Sequence, residues 1–286
     1  MRRIPLFLQE RDASAAERRS LGLELIAVLL SYLCLMLGQS ALSLLLSAVA
    51  LPFSGVLSLF GAAFAALPIY LLCFRIGRLR AEDLYLKDKK AVRRLSFGLF
   101  WGICMLVLLI GVLLLCGGYV LSGKRLDNVP YLPLLLFAFL LQGSAEELLC
   151  RGLVMSAFAV RYGGTAGAFG SALFFMVLHA LNPGVTALGL LNVFLFGLLF
   201  SAITQKCGSI LVACGLHAGW NFALSLFGVQ ISGNAPPHSV FLLESRLPLL
   251  SGGTFGPEGS PLLTVFLLAL LLISLIFSKK YKNGTK

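Results

Sequence analysis

Charge is what this sequence has least of. Only 12% of its 286 residues are Asp, Glu, Lys or Arg, against about 25% in an ordinary soluble domain. Hydrophobic residues make up 58% and mean hydropathy is +0.93. That balance excludes a soluble globular chain. Apolar runs recur to the C-terminal end, as in a multi-pass integral membrane protein. Acidic residues are rarer than basic ones, 12 against 23, which leaves a net charge of +11. The basic residues cluster between apolar runs with no basic, aromatic-interleaved fold around them. They read as topology signals and contacts with anionic membrane lipid, and no nucleic-acid binding is expected.

Nor is there a disulfide framework. The seven cysteines, at 34, 73, 104, 116, 150, 207 and 214, all fall in or beside apolar segments, and none lies in the polar stretch 229–259. Cys207 and Cys214, seven apart, share a helix face on paper but lack companion metal ligands. A cleavable signal sequence is not expected either. Arg2, Arg3, Arg11, Arg18 and Arg19 precede an apolar run from Leu21 to Leu51, which is longer than the 7–15 residues of a signal core and reads as a retained helix.

What is present is an all-α pattern of eight apolar spans: 22–48, 55–74, 96–122, 131–157, 166–182, 185–204, 208–228 and 260–278. Pro52 and Asn182-Pro183-Gly184 mark tight turns. With both termini cytoplasmic, nineteen basic residues lie inside: the five N-terminal arginines, eight between Arg75 and Arg94, Arg161, Lys206, and Lys279, Lys280, Lys282 and Lys286. Outside lie only Lys124, Arg125 and Arg246, with Arg151 inside a span. The expected organisation is a cytoplasmic segment 1–21, three spans within 22–130, a catalytic core 131–228, an outer loop 229–259, and a last span with a basic tail, 260–286. The loop is rich in Pro, Gly and Ser and is expected to be mostly irregular, with His238 a solvated histidine. Gly163, Gly167, Gly170, Ala166 and Ser171 provide the small-residue spacing that lets membrane helices approach closely.

Against that background Gln142-Gly143-Ser144-Ala145-Glu146-Glu147-Leu148-Leu149-Cys150-Arg151 puts three ionisable side chains inside a span, which marks a functional site. At 100° per residue Glu147 and Arg151 share a helix face and pair, while Glu146 points elsewhere and stays free. A desolvated carboxylate beside a like charge has its proton affinity raised, which suits a general base. His179 follows Phe175 on the fifth span, and His217 shares a face with Asn221 on the seventh. Counted along the helices, Glu146, His179 and His217 fall at similar mid-span depth. These groups suffice for peptide hydrolysis. Glu146, assisted by His179, activates water, and His217 with Asn221 donates to the oxyanion. Glu146, His179 and His217 are also a zinc donor set, although the compact His-Glu-x-x-His motif is absent.

Glu-Glu-x-x-x-Arg (Glu146, Glu147, Arg151), Phe-x-x-x-His (Phe175, His179) and His-x-x-x-Asn (His217, Asn221) in this order resemble the CAAX protease and bacteriocin-processing family (CPBP, or Abi) of intramembrane endopeptidases. The resemblance implies an all-helical membrane peptidase with a conical cavity open to the cytoplasm and bilayer. It further implies that Glu146 and His179 activate water and that His217 and Asn221 form the oxyanion hole. Glu147, Arg151 and Phe175 are in supporting positions, no cofactor is required, and zinc is the alternative. The expected partners are membrane lipid and a membrane-associated peptide or protein substrate, and the expected location is a prokaryotic cell membrane. Two other classes compete: a transporter relaying protons through Glu146, His179 and His217, and a non-cleaving, immunity-type membrane protein. No internal repeat and no midspan proline in spans four to seven supports the transporter.

Overall fold

The computed structural model describes residues 20–49 and 53–283, with side chains to residue 274. The arginine-rich segment before residue 20, Pro52 and Lys286 lie outside the described residues. Eight apolar helices follow in the predicted order: α1 (Leu21–Ala48), α2 (Ser54–Ile76), α3 (Ala91–Leu115), α4, α5 (Gly164–Leu178), α6 (Ala187–Cys207), α7 (Leu211–Leu226) and α8 (Pro261–Asn283). Helix α4 runs unbroken through an α stretch Leu132–Glu147, a π turn Leu148–Val154 and a second α stretch Met155–Tyr162. Two strands, β1 (Tyr119–Lys124) and β2 (Phe241–Ser245), pair antiparallel with a bulge at Leu121/Gly123.

Among the described residues, five helical stretches are long and apolar enough to cross a membrane: α1, α2, α3, the run Leu126–Tyr162 and α6. Helix α1 shows why. Leu25, Leu29, Leu33 and Leu37 form an exposed stripe at four-residue spacing, a surface that water penalises and lipid accepts. The chain is an integral membrane protein. The apolar stretches Gly164–Leu178, Leu211–Leu226 and Pro261–Ser274 are shorter. Helix α7 has a physical reason to be short. It is buried along almost its whole length, so protein rather than lipid surrounds it and the thickness of the hydrocarbon does not set its length.

Several predicted boundaries are corrected. The third span does not reach residue 122, because α3 stops at Leu115 and the chain turns at Gly117 into β1. The fourth extends to Tyr162, where Gly163 (φ 87°) ends it. The fifth ends at Leu178, and the apolar Ala180-Leu181 beyond it is turn, not helix. About half of the stretch 229–259 is irregular, as expected; the rest is β2 and three short helices, Pro248–Ser251, Gly253–Phe255 and Pro257–Gly259. His238 is half-buried, edge-on against the rings of Phe53 and Tyr131, rather than solvated. Cys207 ends α6 and Cys214 sits in α7, so they do not share a helix; all seven cysteines are free.

Helix α7 is the axis of the molecule. Its rear face locks onto α3 through two interleaved pairs of glycines, Gly98 and Gly102 against Gly215 and Gly219. A Cβ at any of the four would overlap backbone of the facing helix: Val212 O, Leu216 O, Leu95 O and Leu99 O respectively. Small residues four apart on both helices permit this approach. His217 lies between Gly215 and Gly219, so this contact sets where its ring stands. Gly102→Ala is expected to force α3 and α7 apart at an overpacking cost of about 1–3 kcal/mol. Thermal unfolding in detergent checks the cost, and peptide turnover should fall further than stability does. Around this axis α3, α6, α7 and α8 bury Leu106, Leu109, Phe196, Trp220, Leu224 and Leu263 in the largest apolar cluster. The predicted small-residue surface is a packing surface: Gly167 meets Ala159 and Met155, and Gly170 meets the ring of Phe158, closing the α4–α5 hairpin.

The bundle has two distinct ends. At one, Phe53 packs against Tyr131 and edge-on to His238, Asn128 Nδ2 donates to Ser239 O (2.6 Å), β1 pairs with β2, and Gly233 packs on Pro183. At the other, Ile210 N donates to Tyr85 O (3.2 Å), Arg94 Nη1 to Cys207 O (2.7 Å) and Gln205 Nε2 to Gly164 O (2.7 Å), and Arg161 pairs with Glu24 (2.8 Å).

Candidate active site

A cavity of about 490 Å³ opens within the bundle, and Glu146, Phe175, His179, His217 and Asn221 all line it. Residues from α4, the end of α5 and α7, spread from position 146 to position 221, therefore meet around one space. Glu147 and Arg151 lie behind its wall, both fully buried.

The pairing of Glu147 with Arg151 is as the helix geometry predicts, with Arg151 Nη1 to Glu147 Oε1 at 2.9 Å. The rest of the arginine is held by Gly197 O (3.3 Å from Nη2) and by the rings of Phe175 and Phe200, whose centroids lie 4.5 and 5.3 Å from Cζ. Arg151 sits on the π turn that follows Glu147; such single π insertions recur at functional sites. Sequence spacing did not reveal the second partner of Glu147. Its Oε1 also lies 3.0 Å from His217 Nδ1. A carboxylate paired with arginine only accepts, so Nδ1 carries a proton and Nε2 is the nitrogen left for the cavity. Nε2 stands 3.8 Å from Glu146 Oε2.

Glu146 is not wholly free. Gln142 Nε2, one turn back, donates to its Oε1, and Gln142 Oε1 accepts from Asn221 Nδ2 (3.3 Å). One amide thus holds both the candidate base and the candidate oxyanion donor, a role that only the fold reveals. His179 caps α5 instead of lying in mid-helix. Its Nδ1 is 2.8 Å from Phe175 O, and because a carbonyl only accepts, this nitrogen too is protonated and Nε2 is the basic one. Phe175 packs against both imidazoles, at 4.5 Å from His179 and 5.9 Å from His217, with Arg151 on its face. Cys150 is fully buried away from the cavity, its carbonyl accepting from Ser171 Oγ (2.8 Å).

Glu258, in the stretch expected to be mostly irregular loop, is the principal omission of the sequence reading. Its side chain is buried and lines the same cavity. Oε1 accepts from Trp220 Nε1 (3.1 Å), on α7 between His217 and Asn221, while Oε2 accepts from Ser232 N and from Ser232 Oγ (2.7 Å). Burial pushes this carboxyl above the usual carboxylate range. The Ser232 hydroxyl, the positive charge that His179 carries when protonated, the Ser232 amide and the Trp220 indole oppose that rise. The only sequence signal was an acidic residue in an otherwise nearly acid-free loop. Glu258→Ala leaves three buried donors without an acceptor. At about 1–3 kcal/mol each, the expected loss is several kcal/mol, measurable as earlier thermal unfolding and as protease cleavage within 229–259.

Among the described residues no group of three His, Cys, Asp or Glu side chains is arranged to hold a metal ion. Glu146, His179 and His217 line one cavity without forming such a cluster. Residues 128–223 match the family model described as type II CAAX prenyl endopeptidase Rce1-like. Neither a search of curated proteins nor one of solved structures found a match.

Proposed function

We propose, from the match of residues 128–223 to the type II CAAX prenyl endopeptidase Rce1-like family model, that this chain is an eight-crossing intramembrane endopeptidase of the CAAX protease (CPBP) family in a prokaryotic cell membrane. It hydrolyses a peptide bond in a membrane-associated peptide or protein through a glutamate-activated water, without a bound metal. The observation that carries the reading is the convergence of Glu146, His179, His217 and Asn221 on a single cavity.

In this mechanism water sits between Glu146 and the basic Nε2 of His179. Glu146 takes a proton as the oxygen attacks the scissile carbonyl and later returns it to the leaving amine. Asn221 Nδ2 donates to the developing oxyanion. His217 joins it only as an imidazolium, because the Nδ1 proton is committed to Glu147 and donation from Nε2 needs a second proton. Glu147 is then the residue that stabilises the charged ring, with Arg151 neutralising Glu147 in turn. Gln142 sets the spacing between base and oxyanion donor.

Comparative peptidomics of cells carrying the wild-type protein or Glu146→Gln tests the reading. Fragments present only with the wild type are expected, and identical peptide profiles would rule it out. Once a substrate is in hand, Asn221→Ala should lower kcat by about 10²–10³-fold, the cost of one oxyanion donor, with KM nearly unchanged. Activity that persists in full after chelator treatment is the expected result for a metal-free mechanism.

A further inference from the structure

Glu258 is a buried carboxylate in the cavity wall that the hydrolytic steps leave without a task, and it lies beyond the matched residues 128–223. Its donors come from two sides of the site. On one, Trp220 Nε1 donates to Oε1 (3.1 Å), and Trp220 sits on α7 between His217 and Asn221. On the other, Ser232 donates to Oε2 from both its amide and its hydroxyl. The Ser232 carbonyl accepts in turn from Asn182 Nδ2 (2.9 Å), and Asn182 N donates to His179 O (3.1 Å). An unbroken run of hydrogen bonds thus joins the turn that carries His179 to the helix that carries His217 and Asn221. Glu258 stands in its middle.

The turn needs such a tie. His179 caps α5 and the residues from there to Val185 are not helical, so the imidazole is held by whatever packs against the turn. Gly233 meets Pro183, and Gly184 meets Thr254, so closely that a Cβ on either glycine would overlap its neighbour. Ser232 has φ 47°, a left-handed conformation that a residue with a Cβ keeps only where its surroundings impose it. The two bonds to Glu258 Oε2 impose it. The backbone at 258 is fixed independently. Glu258 O accepts from Asn192 Nδ2 on α6 (2.8 Å), and Thr264 Oγ1 on α8 donates to Asn192 Oδ1 (2.7 Å). The carboxylate therefore projects from an anchored base and holds Ser232 and Trp220 at once.

We propose that Glu258 is a positioning residue, which sets the separation between His179 and the His217–Asn221 pair across the cavity. The reaction rests on the peptidase reading above; the coupling between the two sides does not. Reacting groups displaced by about 1 Å lose on the order of 10²-fold in rate, whereas a carboxylate that only fastened 229–259 would alter stability and leave the chemical step alone. Two variants cut the run. Glu258→Gln keeps the shape, but its single amide oxygen serves Ser232 or Trp220, not both. Asn182→Ala cuts at the turn and removes no buried charge, so it carries the test if Glu258→Gln does not fold. The first readout needs no substrate. The chain has three histidines, so the ring nitrogen signals of the full-length protein in detergent are assigned by removing each in turn. Asn182→Ala is expected to shift the ring signals of His217, at the far side of the run. Phe175 touches both imidazoles and offers a second route; Trp220→Phe, which lacks the bond to Glu258, tells the two apart. In that background the shift should be lost. An unmoved His217, or a shift that persists with Trp220→Phe, overturns the proposal. The second readout is turnover of one defined peptide. Asn182→Ala and Glu258→Gln should each lower kcat by about 10–10²-fold with KM nearly unchanged, and the double variant should be no slower than the slower single one, because both cut one connection. Wild-type kcat in Asn182→Ala, or losses that multiply in the double variant, overturns the proposal as well. A His217 shift that depends on Trp220 in a protein that cleaves no peptide would refute the peptidase and leave the coupling standing.

Discussion

Glu146→Gln yields a protein that inserts and unfolds like the wild type yet hydrolyses its substrate about 10²–10⁴-fold more slowly, the range that general acid–base groups contribute. Stability should hold because the glutamine oxygen still accepts from Gln142 Nε2 and because this side chain, unlike Glu147, keeps 14% of its surface accessible at the cavity. Activity should not, because an amide oxygen does not take up a proton near neutral pH. The comparison needs turnover of one defined peptide beside thermal unfolding of both proteins in the same detergent. A variant that loses stability along with activity would assign Glu146 to the architecture instead of the chemistry.

Glu147→Gln should fail in the opposite manner, with a loss of about 3–5 kcal/mol in stability as well as activity, because it strands Arg151. The guanidinium is fully buried; its other contacts are a carbonyl and two aromatic rings, and none of these carries the compensating charge. A companion double variant separates the two roles of Glu147. Removing both charges, as Glu147→Leu with Arg151→Met, is expected to recover most of the stability, since an apolar pair of similar volume often replaces a buried ion pair at little cost. It should recover none of the activity, because His217 Nδ1 still lacks its acceptor. Thermal unfolding and turnover of the two variants decide this. A double variant that regains turnover would show that the 3.0 Å contact between Glu147 and His217 is incidental.

The contrast between these two glutamates shows what the linear sequence conveys and what it does not. The order of the eight apolar helices is legible because hydropathy is a local property. So is the pairing of Glu147 with Arg151, because both lie on one helix at a spacing that survives the π turn. Glu147 with His217, seventy residues away, is a tertiary contact with no periodic signature. Gln142 was visible as a polar residue in the span, but its link to Asn221 depends on how α4 and α7 cross. His179 was placed in mid-helix because Ala180-Leu181 prolong the apolar run; the helix in fact stops at Leu178, ahead of Asn182-Pro183-Gly184. The interlocked glycines of α3 and α7 were present as two four-residue spacings, while only the cluster at 163–170 drew attention. Glu258 was illegible for a different reason. Its segment has no regular period, and the residue acquires meaning only when 229–259 folds over the cavity and meets Trp220 and Ser232.

Two groups that act on one water molecule do not act additively, and that property gives the most direct test of the site. The measurement is a double-mutant cycle in kcat/KM for Glu146→Gln and His179→Ala on a single defined peptide. If both side chains serve the same proton transfer, the double variant should be no slower than the slower single variant by more than a small factor. Losses that multiply would mean that Glu146 and His179 work at separate steps or separate places, and the shared-water account of this cavity would be wrong.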